Sequence, residues 1–366
     1  MPGILSVATK EPPYTMTQQE TMEIVKNLFE QRYPNIDRLL TIFDNGQIKK
    51  RNFVVPKEWF KEEHSFKDKN DIYIKEAIEL SVDVIRKCLE NSQHLKRNVS
   101  PAEIAAIIFV SSTGIATPSI EARVMNRLPF SKSTKRIPIW GLGCAGGVAG
   151  IARAFEYCKA YPFAKVLVIN VELCSLTFMK DDMRKSNIIG TSLFADGVAC
   201  TLVGGDEVLQ KEKLSNKKLI PYIVETESQL LRDSEQIMGW NVVNEGLQVV
   251  FSKDIPTVIK EWLKPNTLQF LEKQGYNINN IAQFIAHPGG KKVLEAYEET
   301  LSISTEMTRH ARKVLQEHGN MSSPTVIYVL QETMNQDVEK GDVGLMVALG
   351  PGFCSELALL RWEEVE

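Results

Sequence analysis

Apolar positions along the chain keep switching between two rhythms. Nearly continuous apolar runs at Ile4 to Thr9, Ile104 to Ser111, Ile137 to Trp140, Lys165 to Val171 and Ile281 to Ala286 predict strands buried on both faces. Between them, Ile74, Ala77, Ile78, Val82, Ile85 and Leu89 recur at helical spacing and predict a long amphipathic helix over 70–91. Thr17-Gln-Gln-Glu20 has the form of a capping box and predicts a helix running to about Glu30. Ser119 to Leu128 reads as a short helix, Val148 to Lys159 as a longer one, and Ser192 to Gly204 as a strand pair or a bent strand. Lys211 to Lys218 is polar and lysine-rich, the best place for a junction. Beyond it the rhythm resumes. Helices are expected over 255–274 (bent or split by Pro265), 288–299, 305–318 and 326–335, with closing strands over 343–350 and 356–361. Strands and helices that alternate in both halves predict layered α/β architecture.

Composition narrows the classes without naming one. In 366 residues, 43% are hydrophobic and 24% charged, the proportions of a globular protein with one large core or two ordinary domains. Net charge is −3 with both signs interleaved, which argues against a nucleic-acid partner. The first ten residues lack a basic segment followed by an apolar run, and the uncharged stretch at 137–152 excepting none is too short and glycine-rich for a bilayer span, so stable membrane insertion is not expected. Six cysteines without a C-x-x-C pair suggest neither a disulfide framework nor a metal site, and fit a reducing, cytoplasmic setting.

The chemically telling stretch is Trp140-Gly-Leu-Gly-Cys144-Ala-Gly-Gly-Val-Ala-Gly150, a cysteine at a strand-to-helix junction followed by a helix that opens almost entirely in Gly and Ala. Unpaired N–H groups and the positive end of the helix dipole favour a thiolate there. Cys88, Cys158, Cys200 and Cys354 are expected to be ordinary buried hydrophobes. A rival reading takes Gly141, Gly143 and Gly146 as a dinucleotide fingerprint, with Glu172 as its acidic partner, in an NAD-dependent oxidoreductase. A nucleophile needs a base and an oxyanion donor. Among five histidines, His64, His94, His310 and His318 lie in polar contexts and are expected at the surface, whereas His287 ends an apolar strand before Pro288-Gly-Gly290. Asn320 precedes Met321-Ser-Ser323 at another helix start, where its ordinary role would be a cap. Cys144, His287 and Asn320 thus occupy the same kind of junction and supply a nucleophile, an imidazole and an amide donor. A cysteine protease could use the same three residue types, but would give no reason for two similar halves.

Over nearly its whole length the chain resembles the type III polyketide synthases of the chalcone and stilbene synthase superfamily. The likeness is carried by Gly143-Cys-Ala-Gly-Gly147, Glu172-Leu-Cys-Ser-Leu-Thr-Phe178, Leu193-Phe-Ala-Asp-Gly197, Ile285-Ala-His-Pro-Gly-Gly290, Gly319-Asn-Met-Ser-Ser323 and Gly350-Pro-Gly352, six blocks in order. The resemblance implies a duplicated thiolase-like fold layered α-β-α-β-α, with halves at 1–215 and 216–366, working as a homodimer. It implies Cys144, His287 and Asn320 as the catalytic triad and Phe194 as the gate of the acyl cavity. The cavity wall is expected to include Cys174, Thr177, Trp240, Val249 and Ser322, with Thr117 reaching across a dimer interface. Acyl-CoA and malonyl-CoA are the implied substrates, with no metal or redox cofactor.

Two departures stand out: the closing loop reads Ala348-Leu-Gly-Pro-Gly352, and of the family's three coenzyme A-binding basic positions, falling near Arg38, Thr41 and Asn45, only the first is basic. Arg38, Lys49 and Arg51 are therefore candidate coenzyme A contacts. The Glu172–Phe178 block and Met238-Gly-Trp240 look like the bacterial branch that takes fatty acyl-CoA and releases alkylpyrones. A ketoacyl synthase III-like enzyme performing a single condensation is the nearest alternative.

Overall fold

The computed structural model describes residues 1–31, 36–252, 255–336 and 338–365. Nine strands form its main sheet: β1 (Gly3–Lys10), β2 (Ala106–Val110), β3 (Lys135–Ile139), β4 (Lys165–Leu173), β5 (Asp196–Gly204), β6 (Leu219–Leu230), β7 (Ile281–Ala286), β8 (Val343–Gly350) and β9 (Cys354–Glu364). Their order is β7-β8-β9-β6-β1-β5-β4-β2-β3. Only Gly3 opposite Tyr222 joins β1 to β6, so the sheet divides there into an N-terminal part of five strands and a C-terminal part of four. β2 runs parallel to β3 and β4, and β7 parallel to β8; the remaining pairings are antiparallel.

The apolar runs are explained by what covers each face. On β4, Val166 and Val168 belong to one core, while Leu167, Ile169, Val171 and Leu173 belong to another. The second core is closed by helix α1 (Phe66–Leu89), which lies against β1, β4 and β5. Helices α2 (Gly146–Ala160) and α3 (Ser323–Met334) touch strands of both parts and form the middle layer. Over the far face of the C-terminal part lie the helices Lys264–Lys273 and Lys291–Leu301, with Phe284 of β7 edge-on to Tyr297 at 5.9 Å. This is the expected α-β-α-β-α layering.

Small residues let the middle helices approach. A Cβ on Gly147 would come within 2.4 Å of the Ser323 carbonyl oxygen and of Val326 Cγ1. Neither backbone can yield cheaply, because each helix is enclosed by sheet on both sides. Gly147→Ala is therefore expected to cost about 1–3 kcal/mol through overpacking. Chemical denaturation would check this, and an unchanged midpoint would mean that the two helices can move apart.

Several sequence expectations need correction. The 137–140 run was expected to be a buried strand, but β3 is an edge strand with alternate residues exposed, and Trp140 is 52% exposed. His94 is buried at 1% exposure rather than solvated, and its Nδ1 accepts from the Val7 N–H. The helix expected from residue 70 starts at Phe66, since Ser65 and Asp68 form its capping box. The helix expected over 255–274 to be bent or split by Pro265 is interrupted just before that residue, where a π turn, Ile259–Leu263, stands between Ile255–Val258 and Lys264–Lys273. Among the described residues no helix is long and apolar enough to cross a membrane.

Candidate active site

Three turns, far apart in sequence, frame one buried region. The first, Gly143–Ala145, is a single 3-10 turn feeding directly into α2. Gly143 adopts φ +46°, and a side chain on it would meet Pro351 Cδ at 2.8 Å, so the closing loop lies directly on the turn. Cys144 sits at this helix start, 7% exposed. The second turn follows β7, where the His287 N–H donates to the Val347 carbonyl at 2.8 Å. The third, Gly319–Ser322, opens α3, and Ser322 is held at φ +59°, ψ −129°, a conformation seldom adopted outside glycine.

Asn320 ties the three together. Its Oδ1 lies 4.0 Å from Cys144 Sγ and accepts from the Ser322 N–H at 2.8 Å, which fixes the amide orientation. Its Nδ2 donates to the Gly289 carbonyl at 3.0 Å, on the loop that begins with His287, leaving a second N–H uncommitted. The His287 ring is buried, and among the described residues neither of its nitrogens has a hydrogen-bond partner.

Burial governs the electrostatics. It pushes the Cys144 thiol up to about 12, against the opposing hydrogen bonds of Ser322 and Asn320 and with help from the nearby Glu172 carboxylate. It pushes His287 down to about 3. The thiolate expected from the helix dipole is thus outweighed by desolvation, and each group taken singly is neutral.

Beneath Cys144 lies a residue that the sequence reading mentioned without assigning it to the site. Glu172, fully buried, accepts from the Ser112 N–H at 2.9 Å and the Ser323 hydroxyl at 3.1 Å, while the Ser112 hydroxyl accepts from the Gly143 N–H at 3.1 Å. An acidic residue inside an apolar strand was the available signal. Burial lifts its carboxyl from 4.5 to about 8, opposed by the Ser112 N–H. The folded protein therefore holds this proton where the unfolded chain has released it. The resulting stabilisation is complete below about pH 4.5 and fades as pH rises through about 8. Glu172→Gln imitates the protonated form, so its melting temperature relative to the native protein should climb between pH 5 and 8.5. A pH-independent difference would mean that the carboxyl is already ionised.

The expected cavity residues largely assemble. Cys174, Thr177, Phe194 and Val249 line one cavity together with Phe53 and Phe60. Trp240 faces Val249 across the hairpin of Met238–Val243 and Gly246–Phe251, its ring 6.2 Å from that of Phe194. Ser322 is not part of this cavity's lining and stands at the turn that carries Asn320. Thr117 is exposed, on the loop before Ile120–Met125, and takes no part in the cavity of its own chain. Arg38 and Lys49 are exposed, the latter 3.4 Å from Glu317, but Arg51 is buried at 1% exposure and cannot meet a ligand at the surface. The glycine stretch is no phosphate cradle either. The space a ligand would need beside Gly143 and Gly146 is filled by Pro351, Val110 and Ser323.

Sequence profiles of the chalcone and stilbene synthases match almost the entire chain, the N-terminal domain over residues 3–207 and the C-terminal domain over 222–362. The chain belongs to the chalcone and stilbene synthase family. A Bacillus subtilis (strain 168) protein with a provisional chalcone synthase name is 50% identical over 365 residues, 100% of both chains. The 1,3,6,8-tetrahydroxynaphthalene synthase of Streptomyces peucetius subsp. caesius is 30% identical over 363 residues, covering 98% of this chain and 93% of that one. The crystal structure of the Streptomyces coelicolor A3(2) tetrahydroxynaphthalene synthase, a bacterial type III polyketide synthase, superposes with a TM-score of 0.90 at 28% identity, over 99% of each chain. This chalcone synthase family member is accordingly a type III polyketide synthase of thiolase-like fold, an acyltransferase that forms carbon–carbon bonds.

Proposed function

We propose that this enzyme loads a fatty acyl group from acyl-CoA onto Cys144, extends it with malonyl-CoA by repeated decarboxylative condensation, and releases an alkylpyrone or alkylresorcinol-type product. The observation that carries this reading is the Cys144–Asn320 contact, with Asn320 hydrogen-bonded to the loop that begins at buried His287. In loading, His287 takes the Cys144 proton as the sulfur attacks the thioester carbonyl and coenzyme A leaves as its thiol. In extension, His287 and the free Asn320 N–H donate to the malonyl thioester oxygen, where negative charge grows as carbon dioxide departs. The enolate then attacks the acyl-Cys144 carbonyl, forming the carbon–carbon bond and freeing the sulfur for the next round.

Support for an acyl starter comes from the apolar lining of the adjoining cavity, with Met16, Ile24, Phe53, Phe60 and Phe178 beyond Cys174. A Mycobacterium tuberculosis relative, 29% identical over 363 residues, is named for α-pyrone synthesis, which supports the product class. The exposed Ile115, Thr117 and Trp140 beside edge strand β3 support a homodimer in which Thr117 reaches the partner's cavity. Incubation with acyl-CoAs from acetyl to palmitoyl plus malonyl-CoA, read by mass spectrometry, should give pyrones whose yield peaks at a long chain. Product from malonyl-CoA alone, or a single condensation, would displace the fatty starter.

A further inference from the structure

Arg51 lies beneath the crossing of the two segments that present Phe194 and Asn320. Its stem packs on Gly319, where an added Cβ would stand 2.7 Å from Arg51 Cγ. Its Nη1 donates to the carbonyls of Thr191 and Phe194, the latter at 2.8 Å, and its Nη2 donates to Gln18 Oε1 at 2.9 Å. Gln18 in turn donates to the Ser192 carbonyl at 3.0 Å, and the Leu193 carbonyl accepts from the Asn320 N–H at 2.9 Å. Four consecutive carbonyls, 191 to 194, are thereby held at the end of the helix Lys185–Leu193, which has no basic residue in its own last turn. Such carbonyls would otherwise lack partners. The Ala195 N–H donates to the Asn320 carbonyl at 2.9 Å, so the gate phenylalanine and the amide donor share one short backbone bridge.

We propose that Arg51 is a positioning residue that fixes Phe194 and Asn320 against each other and so determines which acyl chains are accepted, an inference resting on the synthase reading above. A guanidinium suits the task because its planar fork reaches three acceptors at once, whereas a lysine ammonium on its flexible stem cannot copy that geometry. Release of the clamp would let the Phe194 ring and the Asn320 amide shift independently, and misplacement by about 1 Å lowers rates by a factor on the order of 100.

The test compares Arg51→Lys, Arg51→Met and Gln18→Met with the native enzyme. Arg51 itself lines the cavity whereas Gln18 does not, so a change in chain preference caused by Gln18→Met arises through position and not contact. Two quantities are read per mole of Cys144 alkylatable by iodoacetamide: malonyl-CoA decarboxylation, and the ratio of products from octanoyl-CoA and palmitoyl-CoA offered together. Loss of folded protein lowers every product in proportion, whereas a displaced gate changes their ratio. Expected is at least a tenfold fall in decarboxylation and an altered ratio in Arg51→Met, with smaller changes of the same direction in Arg51→Lys and Gln18→Met. An unaltered ratio and rate in Gln18→Met and Arg51→Lys overturns the proposal even if Arg51→Met fails to fold. If the native enzyme makes no ketide from any starter, it is the synthase reading that falls.

Discussion

Cys144→Ala should carry no acyl group after incubation with any acyl-CoA, so that intact-protein mass spectrometry shows only the unmodified chain where the native enzyme gains one acyl increment. The nearest candidate to replace it, Cys174, is buried at 3% exposure, and burial with the added charges of Glu172 and Asp196 holds its thiol well above the ordinary range. The remaining cysteines, Cys88, Cys158, Cys200 and Cys354, are also buried. None sits at a turn shared with Asn320. The proposed proton transfer to His287 should make the sulfur dependent on that imidazole. With His287 replaced by Ala, the proposed acceptor of the Cys144 proton is gone while burial still holds the thiol up at about 12, so iodoacetamide alkylation at pH 7 should nearly cease and return only as pH climbs well above 9. Equal alkylation of native and His287→Ala enzyme at pH 7 would show that the two groups do not act as a pair.

Loss of malonyl-CoA decarboxylation should follow a different pattern. His287→Gln and Asn320→Ala are each expected to slow release of carbon dioxide by about 10²–10³, the range found when one preorganised oxyanion donor is removed. Cys144→Ala, by contrast, should keep most of this activity, because the enolate oxygen is stabilised by the imidazole and the amide without use of the sulfur. Asn320→Ala also frees the Gly289 carbonyl and the Ser322 N–H, so a thermal melt must accompany the assay. Asn320→Asp keeps an acceptor for Ser322 but places negative charge beside the developing oxyanion, and should be as slow as alanine. Decarboxylation that stays near native in both His287→Gln and Asn320→Ala would remove the assignment of these two side chains.

Much of the fold was legible because burial writes a direct pattern. β7 runs over Ile281–Ala286 as its apolar run predicts, and the Thr17 capping box opens its helix as read, since a cap depends on residues three apart. The hairpin of Met238–Val243 and Gly246–Phe251 was not anticipated, because its mixed, partly exposed strands lack a clean period of two. Edge position misled in the same way at β3, where an apolar run does not reveal that no strand covers its outer side. The site divided similarly. Cys144, His287 and Asn320 announced themselves as reactive or polar groups placed before small-residue helix starts. Arg51 stood among the candidate coenzyme A contacts because a basic run looks alike whether solvated or buried, and only the acceptors at 191 and 194 show that it points inward.

By itself, then, the order of residues determined which segments become strands and helices, where the middle helices must be thin, and which three side chains are the candidates for chemistry. Those follow from spacing, volume and residue type, which are local properties. Tertiary structure alone decided that Asn320 faces the sulfur, that Glu172 lies buried beneath the Gly143 and Ser323 turns and that Arg51 points inward. Each of these depends on partners more than a hundred residues away, and on a desolvation that exists only once both halves have closed around them.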